Sequence, residues 1–375
     1  MLQPLFEVDN IRVAVFDQDS AVRAVPGPVA ETGEQLGAGW IEVLTGVSFS
    51  VHEGEVLALI GESASGKSLA LMAGFGLLAP GARVLGGTVR YRGHEYRPGG
   101  SPPEEGKKRS RKERKKLRTM GTVVGDYDDE EWAELVGTDI GFMFQNPIGS
   151  WTPVYQIGEQ AGEALDFHSE LSQDEIEERV FDALGEVRLP KSRRLFGAYS
   201  NQLSRGMAQR AMLAAALTKA PHLLIADEPL NGLDPSVAAA IMDLVRDMQK
   251  KRNMAMVVVT HDLAAVASIA DRVAVLYGGE IIEEASAIDL YHRPKHPYTS
   301  GLIGSIPGVT SGRLQHIPGE APRLVDIDHS ICVFADRCGH AFERCSTTKP
   351  DIERVDGSLV ACLRGTELDL PGVGG

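Results

Sequence analysis

The sequence predicts an α/β fold in which a parallel sheet is covered by helices on both faces. Short apolar runs recur along the chain, and segments with helical patterns separate them. These runs are VLALI at 56–60, HLLIAD at 222–227, AMVVVT at 255–260 and RVAVLY at 272–277. Strands that alternate with helices connect in parallel, because each helix carries the chain back across a face of the sheet.

Length and composition agree with a large globular protein. The chain has 375 residues, of which 43% are hydrophobic, so it can bury a sizeable core and form two domains. The net charge is -14, and a surface of this sign repels phosphates. We therefore expect no nucleic-acid partner.

The N-terminal residues MLQPLFEVDNIRV lack the basic segment and the apolar run of a signal peptide. No window of eighteen apolar residues occurs that could cross a bilayer. These features predict an intracellular protein without a membrane span. In a reducing compartment, four clustered cysteines are more often metal ligands than disulfides.

The order of elements begins with a strand over 5–16, followed by a loop rich in glycine, proline and alanine. Residues 40–60 alternate and end in VLALI, which indicates a buried strand, and a helical pattern follows from Lys67. The alternation stops after HRPKHPYTSGLIGSIPG at 292–308. We therefore expect the remaining residues to form a separate appendage.

A charged insertion at about 97–137 interrupts this rhythm. KKRSRKERKKLR at 107–118 holds nine basic residues and one acid, and DYDDEEWAE at 126–134 supplies six acids. Such blocks are typical of solvated surface, and the alternative is a contact with acidic lipid headgroups or a partner. The neighbouring acids cancel much of the positive field, which favours solvated surface.

GESASGKS at 61–68 matches the phosphate-binding pattern G-x-x-x-x-G-K-[ST], and it lies between an apolar strand and a helix, as this pattern requires. The two glycines let successive N–H groups point at phosphate oxygens, and the helix adds its positive end. The lysine is predicted to contact the terminal phosphates and the last serine to bind Mg²⁺. The predicted nucleotide-binding residues are Gly61, Glu62, Ser63, Ala64, Ser65, Gly66, Lys67 and Ser68.

LLIADEP at 223–229 places two acids where a strand ends, which is the edge at which doubly wound sheets bind ligands. Asp227 is predicted to hold Mg²⁺ through water, and Glu228 to polarise an attacking water. An acidic pair at a strand end is by itself more often a helix cap. Because the phosphate loop occurs in the same chain, we favour a role for this acidic pair in nucleotide binding and hydrolysis.

Six motifs occur in a fixed order along the chain, namely GESASGKS, FMFQNP, LSRGMAQR, LLIADEP, NGLD and VVTHD. In this order they resemble the ATPase subunit of an ABC transporter, over roughly residues 40–300. The resemblance implies a P-loop cassette with a RecA-like core, an antiparallel β subdomain and a helical subdomain at about 148–220. It also implies that two such subunits sandwich two ATP molecules, each between one subunit's phosphate loop and the other's signature motif.

The resemblance assigns roles to residues outside the loop. Gln145 matches the glutamine that senses magnesium, with Ser68 and Asp227, and couples the site to membrane subunits. Glu228 matches the general base. His261 matches the histidine that contacts the γ-phosphate, although alone it would be a satisfied polar group at a strand end. The residues implied to meet the partner subunit or its ATP are Ser204, Arg205, Gly206, Gln209 and, at the dimer contact, Asp234.

Two positions depart from the family pattern. Arg205 stands where the signature has its first glycine, and its side chain is expected to disturb the close approach to phosphate. This signature serves the ATP on the partner's loop, so the weakened site is expected there and the partner is expected to be a different subunit. Val15 occupies the position of the aromatic that stacks on adenine in the family, and Phe16, the next residue, is the candidate for that role.

Two segments resemble the oligopeptide/dipeptide branch of this family, which includes nickel importers. They are HRPKHPYTSGLIGSIP at 292–307 and FMFQNPIGSWTPVYQIGEQ at 142–160, although Trp151 and Thr152 replace the commoner Leu-Asn of the second. Met207 in the signature also fits this branch. The resemblance implies an importer for peptides or a related small solute.

The cysteines Cys332, Cys338, Cys345 and Cys362 follow the spacing C-x5-C-x6-C-x16-C. Structural zinc usually needs two cysteines separated by two to four residues, so wider gaps suit a larger group. Four thiolates are what a [4Fe–4S] cluster requires, while zinc and free structural thiols remain alternatives. The same spacing occurs in the C-terminal extension of some peptide-importer ATPases that bind such a cluster, and the resemblance therefore implies the cluster here, in a structural or redox-sensing role.

The predicted organisation is a cassette over 1–300 and a C-terminal extension over 301–375. The implied partners are a second ATPase subunit, two membrane permeases and an extracytoplasmic solute-binding protein, with the chain peripheral at the cytoplasmic face of the membrane. A soluble ABC-type ATPase acting on nucleic acid or ribosomes, and the motor of an exporter, are the alternative functions. Neither alternative explains the segment at 292–307.

Overall fold

The structure, a computed structural model, describes residues 3–22, 26–96, 130–191, 193–306 and 316–373. The chain divides into two compact units. The first unit contains Met1–Ser50, Leu59–Asp129 and Arg272–Gly375, and the second contains Val51–Ala58 and Glu130–Asp271. The domain boundary near residue 300 stays a prediction, and the charged residues 97–129 lie outside the described part.

Twelve strands, eleven α-helices and four short 3₁₀ helices occur in the described residues. The strands are β1 (Phe6–Phe16), β2 (Trp40–Val51), β3 (Val56–Ile60), β4 (Ala82–Tyr91), β5 (His94–Tyr96), β6 (Ile140–Met143), β7 (Leu223–Asp227), β8 (Ala255–Thr260), β9 (Arg272–Tyr277), β10 (Glu280–Ser286), β11 (Glu353–Val355) and β12 (Ser358–Val360). The helices are α1 (Gln18–Val22), α2 (Lys67–Gly74), α3 (Glu130–Thr138), α4 (Ile157–His168), α5 (Gln173–Glu186), α6 (Arg193–Phe196), α7 (Arg205–Leu217), α8 (Pro235–Arg252), α9 (Leu263–Ile269), α10 (Ala287–His292) and α11 (Pro297–Gly304).

The first unit contains an antiparallel sheet in the order β2-β1-β4-β5. Phe6 of β1 lies opposite Tyr91 of β4, and both side chains are buried. The ring of Phe6 stacks on Phe75 just after α2, with 4.9 Å between the ring centroids. The sheet therefore packs against the helix that follows the phosphate loop.

The first unit also contains strands in the order β11-β12-β10-β9-β3. The pairs β9–β10, β10–β12 and β11–β12 are antiparallel. The short C-terminal hairpin thus extends a sheet that begins with the strand in front of the phosphate loop. Ala361 follows this hairpin and directly precedes Cys362, and its N–H donates to the carbonyl of Ile282 in β10.

The second unit contains strands in the order β3-β8-β7-β6. The pairs β6–β7 and β7–β8 are parallel, and Asp227 at the end of β7 lies opposite Val259 of β8. All residues of β7 and β8 are buried, as expected for a strand covered on both faces. One apolar core joins these strands to α4, α5, α7 and α8.

The α/β architecture that the sequence predicts is confirmed. Each of the four apolar runs forms a strand, and α2 begins at Lys67 as expected. The prediction of a parallel sheet holds for β6, β7 and β8, whereas β9 pairs antiparallel with β10, because the turn at Gly278 and Gly279 connects them directly. Within the described ranges, no helix combines the length and apolar character needed to cross a bilayer.

Candidate active site

The phosphate loop runs from the end of β3 to the start of α2. Gly61 has φ +150 and Gly66 has φ +102, so both need the conformational freedom of glycine. A Cβ on Gly61 would lie 2.2 Å from the carbonyl oxygen of Leu276, and a Cβ on Gly66 would lie 2.8 Å from Leu44. No larger residue fits at either position without displacing the loop.

Lys67 occupies the first position of α2, and only 6% of it is exposed. Its Nζ donates to the carbonyl oxygens of Gly61 and Glu62, each at 2.8 Å. The ammonium is therefore held inside the curve of the loop, beside the backbone N–H groups at the start of the helix. This geometry suits a phosphate oxygen, because the loop supplies both a point charge and N–H donors.

Two residues that the sequence analysis did not identify hold Glu62 of the loop. The N–H of Glu62 donates to Tyr298 Oη at 2.8 Å, and its carboxylate pairs with the guanidinium of Arg337 at 2.6 Å. Tyr298 lies in α11, and its burial raises the pKa of its hydroxyl well above the usual range. The hydroxyl therefore stays protonated, and its oxygen accepts the loop N–H.

Asp227 and Glu228 follow each other at the carboxyl end of β7, and both are buried. Glu228 has φ +46, a left-handed conformation that non-glycine residues rarely adopt. Its N–H donates to the carbonyl of Val259 at 2.8 Å, which holds this backbone in place. Strained backbone of this kind concentrates at functional sites, and nothing in the sequence indicated it.

His261 follows β8 and contacts the carboxylate of Glu228. Its Nδ1 lies 2.9 Å from both carboxylate oxygens. Because a carboxylate only accepts, Nδ1 carries the proton and donates it. The side chain of His261 is 55% exposed, while that of Glu228 is 10% exposed. The imidazole therefore orients a nearly buried carboxylate from the solvent side.

Gln145 lies two residues after the end of β6, and its side chain is exposed. The segment that follows exposes large apolar side chains, of which Val154 is 72% exposed and Tyr155 is 58% exposed. Phe144 and Ile148 are also exposed. A run of exposed apolar residues on a structured surface is typical of a protein contact.

The signature residues lie at the start of α7. Ser204 is the N-cap and its hydroxyl accepts the N–H of Met207, and Arg205 Nη1 donates to the carbonyl of Gly232 at 3.0 Å. Gly232 lies two residues before Asp234, the N-cap residue of α8. Ser204, Arg205 and Asp234 are exposed, Gly206 is half-buried, and Gln209 is buried.

Phe16 lies at the end of β1, where its ring is 46% exposed. The ring packs edge-on against Trp40, with 5.8 Å between the centroids. The ring is thus partly accessible at this strand end, and its contact with adenine stays a prediction. Val15, one residue earlier, is only half-buried.

All four cysteines line one cavity in the first unit, together with His296, Phe334 and Arg364. None of the four forms a disulfide. Burial raises the pKa of the Cys332 thiol to about 11 and raises the pKa of Cys338 and Cys362. In the described part of the chain, no group of three or more His, Cys, Asp or Glu side chains is arranged to hold a metal ion.

Comparisons with known proteins agree with this geometry. Residues 44–231 match the family model described as "ABC transporter", and residues 282–345 match "Oligopeptide/dipeptide transporter, C-terminal region". The oligopeptide transport ATP-binding protein OppD of Escherichia coli is 35% identical over 331 residues, which cover 88% of this chain and 89% of that protein. The dipeptide transport ATP-binding protein DppD of Haemophilus influenzae is 35% identical over 318 residues, 84% of this chain and 88% of that protein.

Solved structures agree with these comparisons at the level of the fold. A dimeric ATP-binding cassette, MJ0796, solved in a post-hydrolysis state with ADP and phosphate, superimposes with a TM-score of 0.54 at 24% identity, covering 75% of this chain and 98% of that one. The family model spans half of the chain, and the curated relatives span most of it. The chain therefore belongs to the ABC transporter family as an ATP-hydrolysing subunit, and it carries the C-terminal region of the oligopeptide/dipeptide branch.

Proposed function

We propose that this chain hydrolyses ATP to energise the import of peptides or a related small solute through a membrane permease. The observation that carries the hydrolytic part is the contact between His261 and the strained, buried Glu228 at 2.9 Å. The names of the relatives and the match over 282–345 support the peptide part.

The phosphate loop is the proposed ATP site. Lys67 exchanges the carbonyl oxygens of Gly61 and Glu62 for oxygens of the terminal phosphates, and the N–H groups at the start of α2 bind the same phosphates. Phe16 offers its exposed ring to the adenine. The affinity for the nucleotide thus comes mostly from the first unit.

Ser68, Gln145 and Asp227 are the proposed residues around Mg²⁺. They offer a hydroxyl, an amide oxygen and a carboxylate, the oxygen donors that Mg²⁺ prefers. When bound, Mg²⁺ would neutralise charge on the β- and γ-phosphates. Ser68 follows Lys67 directly in α2, and Asp227 is buried at the end of β7, so these two donors are fixed by regular elements.

Glu228 is the proposed general base. Its carboxylate orients a water for in-line attack on the γ-phosphate, and His261 holds the carboxylate in one orientation through Nδ1–H. Burial of Glu228 supports this role, because a carboxylate with little solvent around it can hold one water in a fixed position.

A second ATPase subunit completes the proposed site. Ser204, Arg205 and Asp234 are exposed, which supports their contact with a partner subunit and its ATP. We propose that the partner is a different chain, because in a homodimer Arg205 would stand in both signatures. A partner with a regular signature would serve the loop of this chain.

The exposed apolar segment after Gln145 is the proposed contact with the permease. Val154 and Tyr155 offer apolar surface that a short helix of a membrane subunit could cover. This contact would place the chain at the cytoplasmic face of the membrane as a peripheral subunit. A solute-binding protein outside the membrane would deliver the cargo.

We further propose that Cys332, Cys338, Cys345 and Cys362 hold a [4Fe–4S] cluster, with zinc as the alternative. Support for the proposal comes from the shared cavity that all four line and from their being free thiols, although the described residues form no group already arranged around a metal ion. Four thiolates are the usual ligands of such a cluster. When bound, it would cross-link the extension in a structural or redox-sensing role.

Anaerobic purification tests the cluster directly. A brown protein with broad visible absorption and about four irons per chain is the expected result. A colourless protein with one zinc per chain would contradict the iron assignment.

Reconstitution in liposomes tests the function. The chain is combined with candidate permeases, a second ATPase subunit and a solute-binding protein from its own organism, and ATP hydrolysis is measured with and without peptide. We expect hydrolysis that depends on the membrane subunits and rises with peptide-loaded binding protein. Hydrolysis stimulated by ribosomes or DNA without membrane subunits would favour a soluble ABC-type ATPase, and transport out of the cytoplasm would favour an exporter.

A further inference from the structure

Arg337 connects the cysteine-rich extension to the phosphate loop. Its Nη1 lies 2.6 Å from Glu62 Oε2, and its Nη2 lies 3.1 Å from Glu62 Oε1, so the pair is bidentate. Only 8% of the arginine side chain is exposed. Planar, two-point contacts of this kind fix orientation as well as distance.

The rest of the guanidinium is also bonded within the first unit. Nε donates to the carbonyl of Pro318 at 2.7 Å, Nη2 to that of Gly319 at 3.3 Å, and Nη1 to Tyr277 Oη at 3.3 Å. The guanidinium lies 5.7 Å from the centroid of the Tyr277 ring. The hydrogen bond with Glu62 raises the pKa of Arg337 further, so the charge is permanent. A side chain held by so many groups has little freedom to follow a moving loop.

Glu62 is the point at which this contact reaches the ATP site. Its carboxylate pairs with Arg337, its N–H donates to Tyr298 Oη at 2.8 Å, and its carbonyl accepts from Lys67 Nζ at 2.8 Å. Three separate groups of one loop residue are thus fixed. A shift of the carboxylate would move the carbonyl that Lys67 contacts.

Arg337 is equally fixed on the side of the cysteines. It ends a one-turn 3₁₀ helix, Ala335–Arg337, and Cys338 comes next in the chain. Phe334, in front of this turn, is buried, and its ring lies 5.1 Å from the ring of Tyr277 and 5.3 Å from that of Tyr298. The turn that carries Arg337 therefore shares the aromatic cluster that supports Glu62.

We propose that Arg337 is a positioning residue of the ATP site, which holds the phosphate loop in its binding conformation through Glu62 and makes nucleotide affinity depend on the folded four-cysteine extension. The inference rests on ATP binding at the loop, as proposed above. It concerns nucleotide binding, because the contacts of Arg337 reach the phosphate loop through Glu62.

The test compares the affinity of variants for magnesium and a non-hydrolysable ATP analogue in the purified full chain. Arg337→Met keeps an unbranched apolar side chain and removes the guanidinium group. We expect a dissociation constant raised about tenfold or more, because misplaced binding groups lose affinity steeply. Glu62→Gln should also raise the dissociation constant. The double variant should have a dissociation constant no higher than that of the single variant with the lower affinity.

Arg344→Met is the matched control. Arg344 also directly precedes a cysteine, but its side chain is exposed. The control variant should keep the affinity of the wild type. Arg337→Lys should restore only part of the affinity, because an ammonium keeps the charge and lacks the two-point contact.

The turnover number distinguishes a loss of nucleotide positioning from a general loss of folded, active protein. In the assembled transporter, Arg337→Met should raise the KM for ATP and leave kcat within about twofold, as expected when only binding is lost. Wild-type affinity in Arg337→Met, or in Glu62→Gln if Arg337→Met does not fold, would overturn the inference. Failure of the wild-type chain to bind the analogue would instead contradict the proposed ATP site.

Discussion

The phosphate loop and the signature segment differ in how deeply their polar side chains are buried. In the loop, Lys67 is buried and bonded to loop carbonyls, and Glu62 is held by Arg337. In the signature, Ser204 and Arg205 are exposed. The buried lysine of the loop and the exposed side chains of the signature agree with the proposal that the loop binds ATP within this chain and that the signature meets a partner subunit.

Glu228 and His261 form a contact in which one side chain is buried and the other is exposed. Glu228 is nearly buried, whereas the imidazole that contacts it is 55% exposed. This arrangement agrees with the proposal that Glu228 acts as the base and that His261 orients it from the solvent side. Each of the following predictions tests one side of this comparison.

His261→Ala should have a larger effect than the Arg205 and Glu283 variants described next. It removes the Nδ1–H that orients Glu228, and we expect kcat of the assembled transporter to fall about 100-fold, within the range for lost transition-state hydrogen bonds. The KM for ATP should change little, because the loop that binds the nucleotide is unaltered. Steady-state ATP hydrolysis measures both quantities.

His222→Ala is the control for His261→Ala. His222 is also 55% exposed and lies 2.9 Å from a carboxylate, that of Asp139, but it precedes β7 instead of following β8. We expect normal hydrolysis. Equal losses in the two variants would mean that the histidine acts through stability and not through Glu228.

Arg205→Gly should raise hydrolysis by the heterodimer by roughly two- to fivefold, which corresponds to less than 1 kcal/mol of barrier. The variant restores the family signature and frees the Gly232 carbonyl from the guanidinium. Arg205→Ala separates the two effects, since it removes the guanidinium and keeps the Cβ. An unchanged or lower rate in both variants would show that the arginine does not weaken the partner's site.

Glu283→Gln should have the smallest effect, and it concerns the stability of the unit that carries the loop. The carboxylate of Glu283 accepts the N–H groups of Lys295 and His296, and burial raises the pKa of its carboxyl to about 7. A raised pKa means that the folded chain keeps a proton that the unfolded chain has lost. Glu283 therefore reduces stability as pH rises from about 4.5 through about 7.

Burial lowers the pKa of His296 to about 3, so His296 adds stability as pH rises toward 6.5. The two effects oppose each other below that pH, and Glu283 acts alone above it. Between pH 6.5 and 7.5, the melting temperature of the wild type should fall by about 1–3 °C more than that of Glu283→Gln. Parallel melting curves would contradict the assignment to Glu283.

Most of the correct predictions from the sequence rest on short local motifs. The loop at 61–68, the acids at the end of β7 and the family itself follow from short patterns with fixed local geometry, and the predicted family and ATPase activity are confirmed. The assignment of the four cysteines to an iron–sulfur cluster stays a prediction, because a shared cavity does not identify its ligand.

Contacts between distant parts of the chain could not be predicted. Arg337 and Glu62 are 275 positions apart, and no sequence motif contains both residues or predicts their contact. Arg205 and Gly232 are 27 positions apart, and the hydrogen bond between them holds the guanidinium against its own chain. The left-handed backbone of Glu228 depends on its pairing with Val259, which no local pattern contains.

Hydrolysis by the assembled transporter with Glu228→Gln tests the central claim most directly, with Glu178→Gln on the exposed face of α5 as the control. Glutamine keeps the size of the side chain and removes the base. We expect hydrolysis to fall at least about 100-fold while magnesium–ATP is retained at the loop, as expected for loss of a general base. Hydrolysis at the wild-type rate in Glu228→Gln would contradict the account.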